Sequence, residues 1–178
     1  MMAGSHIATG VLTWGIVAYN AELAFTPITV GAAVLGALAP DIDHPQSFLG
    51  ARLYPVAMTI NQAVGHRQVT HSGVMLGVLI VAAVYLTGAK GVSMPSAWAL
   101  AGIVGYAAHM LTDAMTRSGI PLFWPLRMPF LLPPGIRTGT GGETLTVIAL
   151  FASAAAVHFE AITAAIERHA ATLFPLLG

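Results

Sequence analysis

Between Ser72 and Thr112 the chain carries no Asp, Glu or Arg and a single lysine, Lys90. At the helical rise of 1.5 Å per residue, Ser72–Gly88 covers roughly 25 Å, most of the thickness of a bilayer's hydrocarbon core. The residues Gly88–Ser93 then turn the chain, and Pro95 opens a second uncharged run to Thr112. Two such runs joined by a short turn are expected to form an antiparallel helical hairpin. Trp98, close to the turn, is where an interfacial aromatic belongs.

Composition extends the membrane reading to the whole chain. Charged residues make up 8% of it, hydrophobic residues 56%, and the mean hydropathy is +0.78. A soluble domain carries about a quarter charged residues, and a chain with so few cannot cover a water-facing surface. Net charge is zero and the basic residues are scattered singly, which leaves no electrostatic footprint for nucleic acid. With no cysteine, disulfides and thiolate metal sites are excluded. The start, MMAGSHIATG, lacks the basic segment of a secretory signal and is expected to remain on the protein.

The first two apolar stretches, His6–Tyr19 and Pro27–Ala39, are each about a dozen residues, short of the ~20 that cross a bilayer alone. They are expected as an αα-hairpin, one membrane insert partly buried against its neighbours, with Pro27 in a helix first turn and Pro40 at its end. Asp41–Thr70 is the least apolar region and includes an amphipathic stretch from Arg52 to Val64. Arg117–Gly142 holds Pro121, Pro125, Pro129, Pro133 and Pro134, which excludes one long helix. Glu143 begins a last helix, Thr144–Val157, expected to continue through Phe159–Ala171. The predicted fold is all-α: one membrane-embedded domain over residues 1–178, a bundle of about five hydrophobic helices with a polar end.

That polar end holds the chemistry. Pro40–Ser47 reads PDIDHPQS and places Asp41, Asp43 and His44 together, using two of the chain's seven acidic residues. His109 and Asp113 stand four apart, on one helical face. His66 and His71 stand five apart in GHRQVTHSG, with Thr70 as the expected helix N-cap. Arg67 between them is placed to hold a phosphate or to pair with Asp41 or Asp43. Each motif has a plain reading when taken singly: a proline-bounded turn, a solvated helix end, two loop histidines. Chain reversal at short turns changes this, because it brings His6, Asp41, Asp43, His44, His66, His71, His109 and Asp113 to the same end. The opposite turns carry only Glu22 and Lys90.

Histidine nitrogens and carboxylate oxygens are the donors a divalent metal takes. Eight candidates exceed the three or four ligands of one catalytic ion, so two metals, or one with supporting partners, fit the number. Glu143 is either a late ligand or general base, or a first-turn acid favoured by the helix dipole. His158 and His169 fall away from the cluster and are read as interfacial. Arg52, Arg67, Arg117, Arg127 and Arg137 share the polar end, against Lys90 at the other, joined by Arg168 if the last helix crosses fully, and this bias predicts a site on the cytoplasmic side.

The stretches PDIDHPQSFLG, GHRQVTHS, GYAAHMLTDAMTRSGIPLFWP and RTGTGGE, in this order and spacing, resemble the YdjM-like inner-membrane proteins. The resemblance covers about Ser5 to Glu143. It implies a metal-dependent hydrolase, grouped with zinc-dependent phospholipase C and related single-strand nucleases. It also implies a link to the SOS response and a LexA-like regulatory partner. His6, Asp41, Asp43, His44, His66, His71, His109 and Asp113 match its polar positions, while the region of Glu143 matches poorly.

The expectation is therefore a multi-pass inner-membrane hydrolase with one or two divalent ions, Zn2+ ahead of Mn2+ or Fe2+. Its substrate is a phosphoester of a lipid or lipid-linked molecule. Asp43 or Asp113 would orient or deprotonate water, and Arg67 or Arg117 would hold the anionic substrate. The rivals are a metal-ion or proton transporter and a regulatory membrane protein with a structural metal site. A transporter needs polar groups near the midplane, whereas here they gather at one end.

Overall fold

The apolar runs fold as helices in a computed structural model that describes residues 1–65, 67–88, 96–126, 128–160, 163, 164 and 167. Helix α1 is Ala3–Asn20 and α2 is Pro27–Leu38, which passes into a 3-10 turn, Ala39–Asp43. Then come α3 (Tyr54–Val64), α4 (Gly73–Gly88), α5 (Ser96–Ala114) and α6 (Gly141–Val157). Among the described residues there is no strand, only isolated bridges at Thr116–Ile136 and Ile120–Phe130. The chain is all-α, as its composition predicts.

Local chemistry sets the helix ends. Thr26 and Thr29 form a reciprocal capping box at the start of α2, with Pro27 at the first helical position, where a missing N–H costs nothing. Helix α2 ends at Leu38, just before Pro40, as expected from sequence. Pro40 itself sits inside the 3-10 turn, whose tighter winding buries Asp43 while leaving Asp41 partly open. The expected cap of α4, Thr70, is engaged elsewhere; the Ser72 hydroxyl accepts from the Met75 amide at 3.2 Å instead.

Helix α5 packs on α1, α2 and α4, and its contact with α2 is the most extensive in the fold. The two backbones meet through small residues. A Cβ on Gly36 would lie 2.0 Å from the Gly102 carbonyl oxygen, and one on Gly105 would lie 2.0 Å from the Ala33 carbonyl oxygen. Small residues at such crossings are how helices pack when lipid supplies no hydrophobic drive. Two apolar clusters flank the crossing. Trp14, Ala18, Ala33 and Ala101 fill one end; Tyr106, Met110, Ala114 and Ile120 fill the other.

The proline-rich segment after α5 folds back over the second cluster. The Leu132 amide donates to the Ala114 carbonyl at 2.7 Å, Ile136 to Met115 at 2.8 Å, and Gly73 to Leu122 at 2.8 Å. These bonds tie the start of α4 and the end of α5 to one loop.

Outward surfaces are strongly apolar. Helix α4 buries no residue and exposes Val74, Val78, Val81, Val84 and Tyr85, while α6 exposes Leu145, Ile148 and Val157. Among the described residues, however, no helix is long and apolar enough to cross a membrane. The 16 residues of α4 rise only about 24 Å, and α5 spends its last two turns on His109 and Asp113. The expected extension of the last helix to Ala171 lies largely outside the described residues.

The crossing of α2 and α5 makes a stability prediction. Gly36→Ala or Gly105→Ala forces backbone apart and is expected to cost about 1–3 kcal/mol. Gly31→Ala, which meets nothing within 4 Å, is expected to be neutral or to gain up to about 1 kcal/mol of helix propensity. Thermal unfolding of the three variants in detergent separates these outcomes.

Candidate metal centre

Four elements deliver side chains to one point. His6 comes from the first turns of α1, Asp41 from the 3-10 turn, His71 from the residues before α4, and His109 and Asp113 from the end of α5. Except for Asp41, which is partly open, all are fully buried. The Nε2 atoms of His71 and His109 stand 3.2 Å apart. Asp41 Oδ1 lies 3.5 Å from the first and 3.8 Å from the second. Asp113 Oδ2 lies 3.7 Å and 3.8 Å from the same two nitrogens.

The hydrogen-bond network determines which nitrogen carries each proton. His109 Nδ1 lies 2.7 Å from the Ala37 carbonyl oxygen, which can only accept. His71 Nδ1 lies 3.0 Å from the Thr70 hydroxyl, and that hydroxyl donates to Asp43 Oδ2 at 2.5 Å, so it must accept from His71. His6 Nδ1 lies 3.1 Å from the Thr112 hydroxyl, whose own proton goes to the Ala108 or His109 carbonyl. In all three rings the N–H is therefore at Nδ1, and Nε2 presents a lone pair inward. His6 Nε2 has no hydrogen-bond partner, although Asp113 Oδ1 is 3.3 Å away.

The result is a buried space walled by acceptors. A shared proton relieves one pair of them; a divalent cation relieves the three or four that it binds. In a tetrahedral zinc site, ligand atoms ~2.1 Å from the ion stand ~3.4 Å from one another. The separations of 3.2, 3.5, 3.7 and 3.8 Å bracket that value. Donor separations of this size suit a divalent metal ion. Two overlapping groups have metal-binding spacing: His6, His109 and Asp113, and Asp41, His71 and His109. They share His109, which has one lone pair left, so a single ion serves one or the other.

Charge at the centre is partly balanced already. The Met1 ammonium donates to Asp113 Oδ1, and the Arg67 guanidinium lies 2.9 Å from Asp113 Oδ2. Asp41, partly open to solvent, stays a carboxylate at neutral pH.

The other predicted residues take different places. Asp43 stands behind His71, accepting from Thr70 and from the Arg67 amide at 2.9 Å. Arg67 adopts φ 56°, in the left-handed region, which turns its amide toward Asp43 and its side chain toward Asp113. This differs from the expected pairing with Asp41 or Asp43. His44 lines an opening of about 360 Å³ with Asp41, Arg67 and Phe48, and its Nδ1 accepts from the Gln46 amide. Glu143 is buried but apart from the centre: its two oxygens accept from the Met2 and Gly139 amides, both at 2.7 Å. Arg117 is exposed and donates to the Gly135 carbonyl. His66 lies outside the described residues.

Sequence reasoning did not anticipate Thr70, Thr112 and the Ala37 carbonyl, which set the three rings. For Thr70 and Thr112 the signal was their adjacency to His71 and Asp113; for a backbone carbonyl there was none.

The profile of the family described as "YdjM inner membrane protein" matches residues 1–176. The inner membrane protein YdjM of Escherichia coli (strain K12) is 41% identical over 162 residues, covering 85% of this chain and 80% of that protein. The protein of the same name from Shigella flexneri gives the same values. An uncharacterized protein, YvsG, of Bacillus subtilis (strain 168) is 32% identical over 153 residues, or 84% of this chain and 89% of its own length. No solved structure matches the chain.

One equivalent of zinc is expected to bind the purified protein, and Thr70→Val, which frees His71 to rotate, is expected to weaken it about 10–100-fold. Competition with a chromophoric chelator measures both. Unchanged affinity in Thr70→Val would show that the hydroxyl does not set the ring.

Proposed function

The chain belongs to the YdjM family of inner membrane proteins, and on that premise we propose that it is a membrane-bound, metal-dependent phosphoester hydrolase acting on a lipid or lipid-linked substrate. The observation that carries this reading is the convergence of lone pairs: two imidazole Nε2 atoms and two carboxylates around one point, beside a partly exposed arginine. Phosphoester hydrolysis needs a cation on the phosphoryl oxygen, a proton acceptor for water, and a counter-charge for the substrate.

Asp41, His71, His109 and Asp113 would hold the ion, with Zn2+ favoured by the nitrogen content and Mn2+ or Fe2+ as alternatives. When bound, such an ion supplies Lewis acidity and lowers the pKa of water. Asp43 acts through Thr70, keeping the His71 proton on Nδ1. His6 Nε2, buried and without a hydrogen-bond partner, is the base best placed to take a proton from water. This leaves Asp43 a positioning role and Glu143 an anchoring one. Arg67, 28% exposed, reaches from Asp113 to the opening and would bind a phosphoryl oxygen.

The bundle would lie in the membrane with its apolar α4 and α6 faces toward lipid and its arginine-rich polar end toward the cytoplasm. The positive-inside bias and the exposed apolar side chains support that orientation. A transporter reading is disfavoured because the described polar cluster sits at one end of the bundle.

Metal analysis and hydrolysis of an aryl phosphodiester and of phosphatidylglycerol test the proposal together. Zinc-loaded protein is expected to turn over a phosphodiester. His71→Ala and Asp41→Asn are expected to lose at least 100-fold in kcat/KM, with far-ultraviolet circular dichroism unchanged. Stoichiometric zinc without hydrolysis of any phosphoester, together with unfolding of His71→Ala, would favour a regulatory protein with a structural ion.

A further inference from the structure

Two long stretches of the sequence contain no acid. From His44 to Thr112 and from Ala114 to Gly142 there is no Asp or Glu, whereas Arg52, Arg67, Arg117, Arg127 and Arg137 all fall there. Arg67 lines two openings at once. One, of about 360 Å³, it shares with Asp41 and Phe48; the other, of about 190 Å³, it shares with Pro121 and Met128.

Exposed apolar side chains stand on both sides of these openings. Phe48, Leu53, Tyr54 and Val56 form one flank, and Phe123, Leu126, Met128 and Leu131 the other. On the first flank Arg52 lies 3.7 Å over the Phe48 ring and donates to the Phe48 carbonyl. Arg117, which precedes the second flank in the chain, is exposed and tied to Gly135. In water so much uncovered apolar surface is unfavourable at about 25 cal/mol per Å². Apolar and aromatic side chains interleaved with arginines, and with no acids, instead match the headgroup layer of an anionic bilayer. There the rings and aliphatic groups reach the acyl boundary, and the guanidinium groups meet phosphates.

We infer that the two flanks, the one carrying Phe48, Arg52, Leu53, Tyr54 and Val56 and the one carrying Phe123, Leu126, Met128 and Leu131, dip into the anionic headgroup layer, so that the opening beside Arg67 faces lipid phosphates. Lipid then reaches the centre from the plane of the membrane without crossing water. The surface rests on the hydrolase reading only for the fate of that lipid.

The chain has no cysteine, so single spin labels report cleanly. The full chain, with Tyr54→Cys or Leu126→Cys labelled, is placed in nanodiscs of phosphatidylglycerol. Both labels are expected to collide more with oxygen than with a water-soluble nickel chelate. In mixed micelles, native mass spectrometry is expected to show phosphatidylglycerol retained over phosphatidylcholine. Arg52→Gln and Arg117→Gln are each expected to cut that preference roughly fivefold. Labels open to the nickel chelate, or equal retention of the two lipids by the parent protein, overturn the inference. Neither readout depends on hydrolysis: inserted flanks on a protein that binds no zinc would retire the hydrolase reading and leave the surface standing.

Discussion

The hydrogen bond between His109 and the Ala37 carbonyl depends on the closeness of α2 and α5, and much of the site depends on that bond. Gly36 and Gly105 bring the two backbones together, and one turn further along the same crossing Ala37 lies 2.7 Å from His109 Nδ1. The bond puts the His109 proton on the outer nitrogen and turns the inner lone pair toward His71. A wider crossing would leave α5 its shape but release the ring. Helix packing and site chemistry are therefore one constraint.

Around that ring the protein uses the same device twice more. Thr112 sets His6 and Thr70 sets His71, and Thr70 is itself held by Asp43. A hydroxyl suits this work because it accepts from the imidazole while passing its own proton to an oxygen behind it. A carboxylate directly against each ring would bury more charge at greater cost. Asp43 keeps its charge one residue removed, where the Arg67 amide also meets it.

Much of this was legible in the sequence. The helices followed from uncharged runs bounded by proline and glycine, and the gathering of His6, Asp41, His71, His109 and Asp113 followed from chain reversal at short turns. What could not be read depended on backbone atoms and local winding. The 3-10 turn at Ala39–Asp43 decides that Asp41 faces the centre while Asp43 stands behind it, and a two-residue spacing in a proline-bounded segment does not specify that phase. The left-handed Arg67 likewise sends its side chain to Asp113, a partner 46 positions away that no local pattern indicates. Among the described residues no helix is long and apolar enough to cross a membrane, and on α5 the last two turns are given over to His109 and Asp113.

The space between the histidines has a consequence for the protein's supply in the cell. Acceptors that face one another in a buried space oppose their own assembly, and an ion that joined them would contribute its binding energy to the folded state alone. A chain that gains stability in this way would then survive in proportion to the available metal. Its abundance would follow the cell's metal quota as closely as the rate at which it is made.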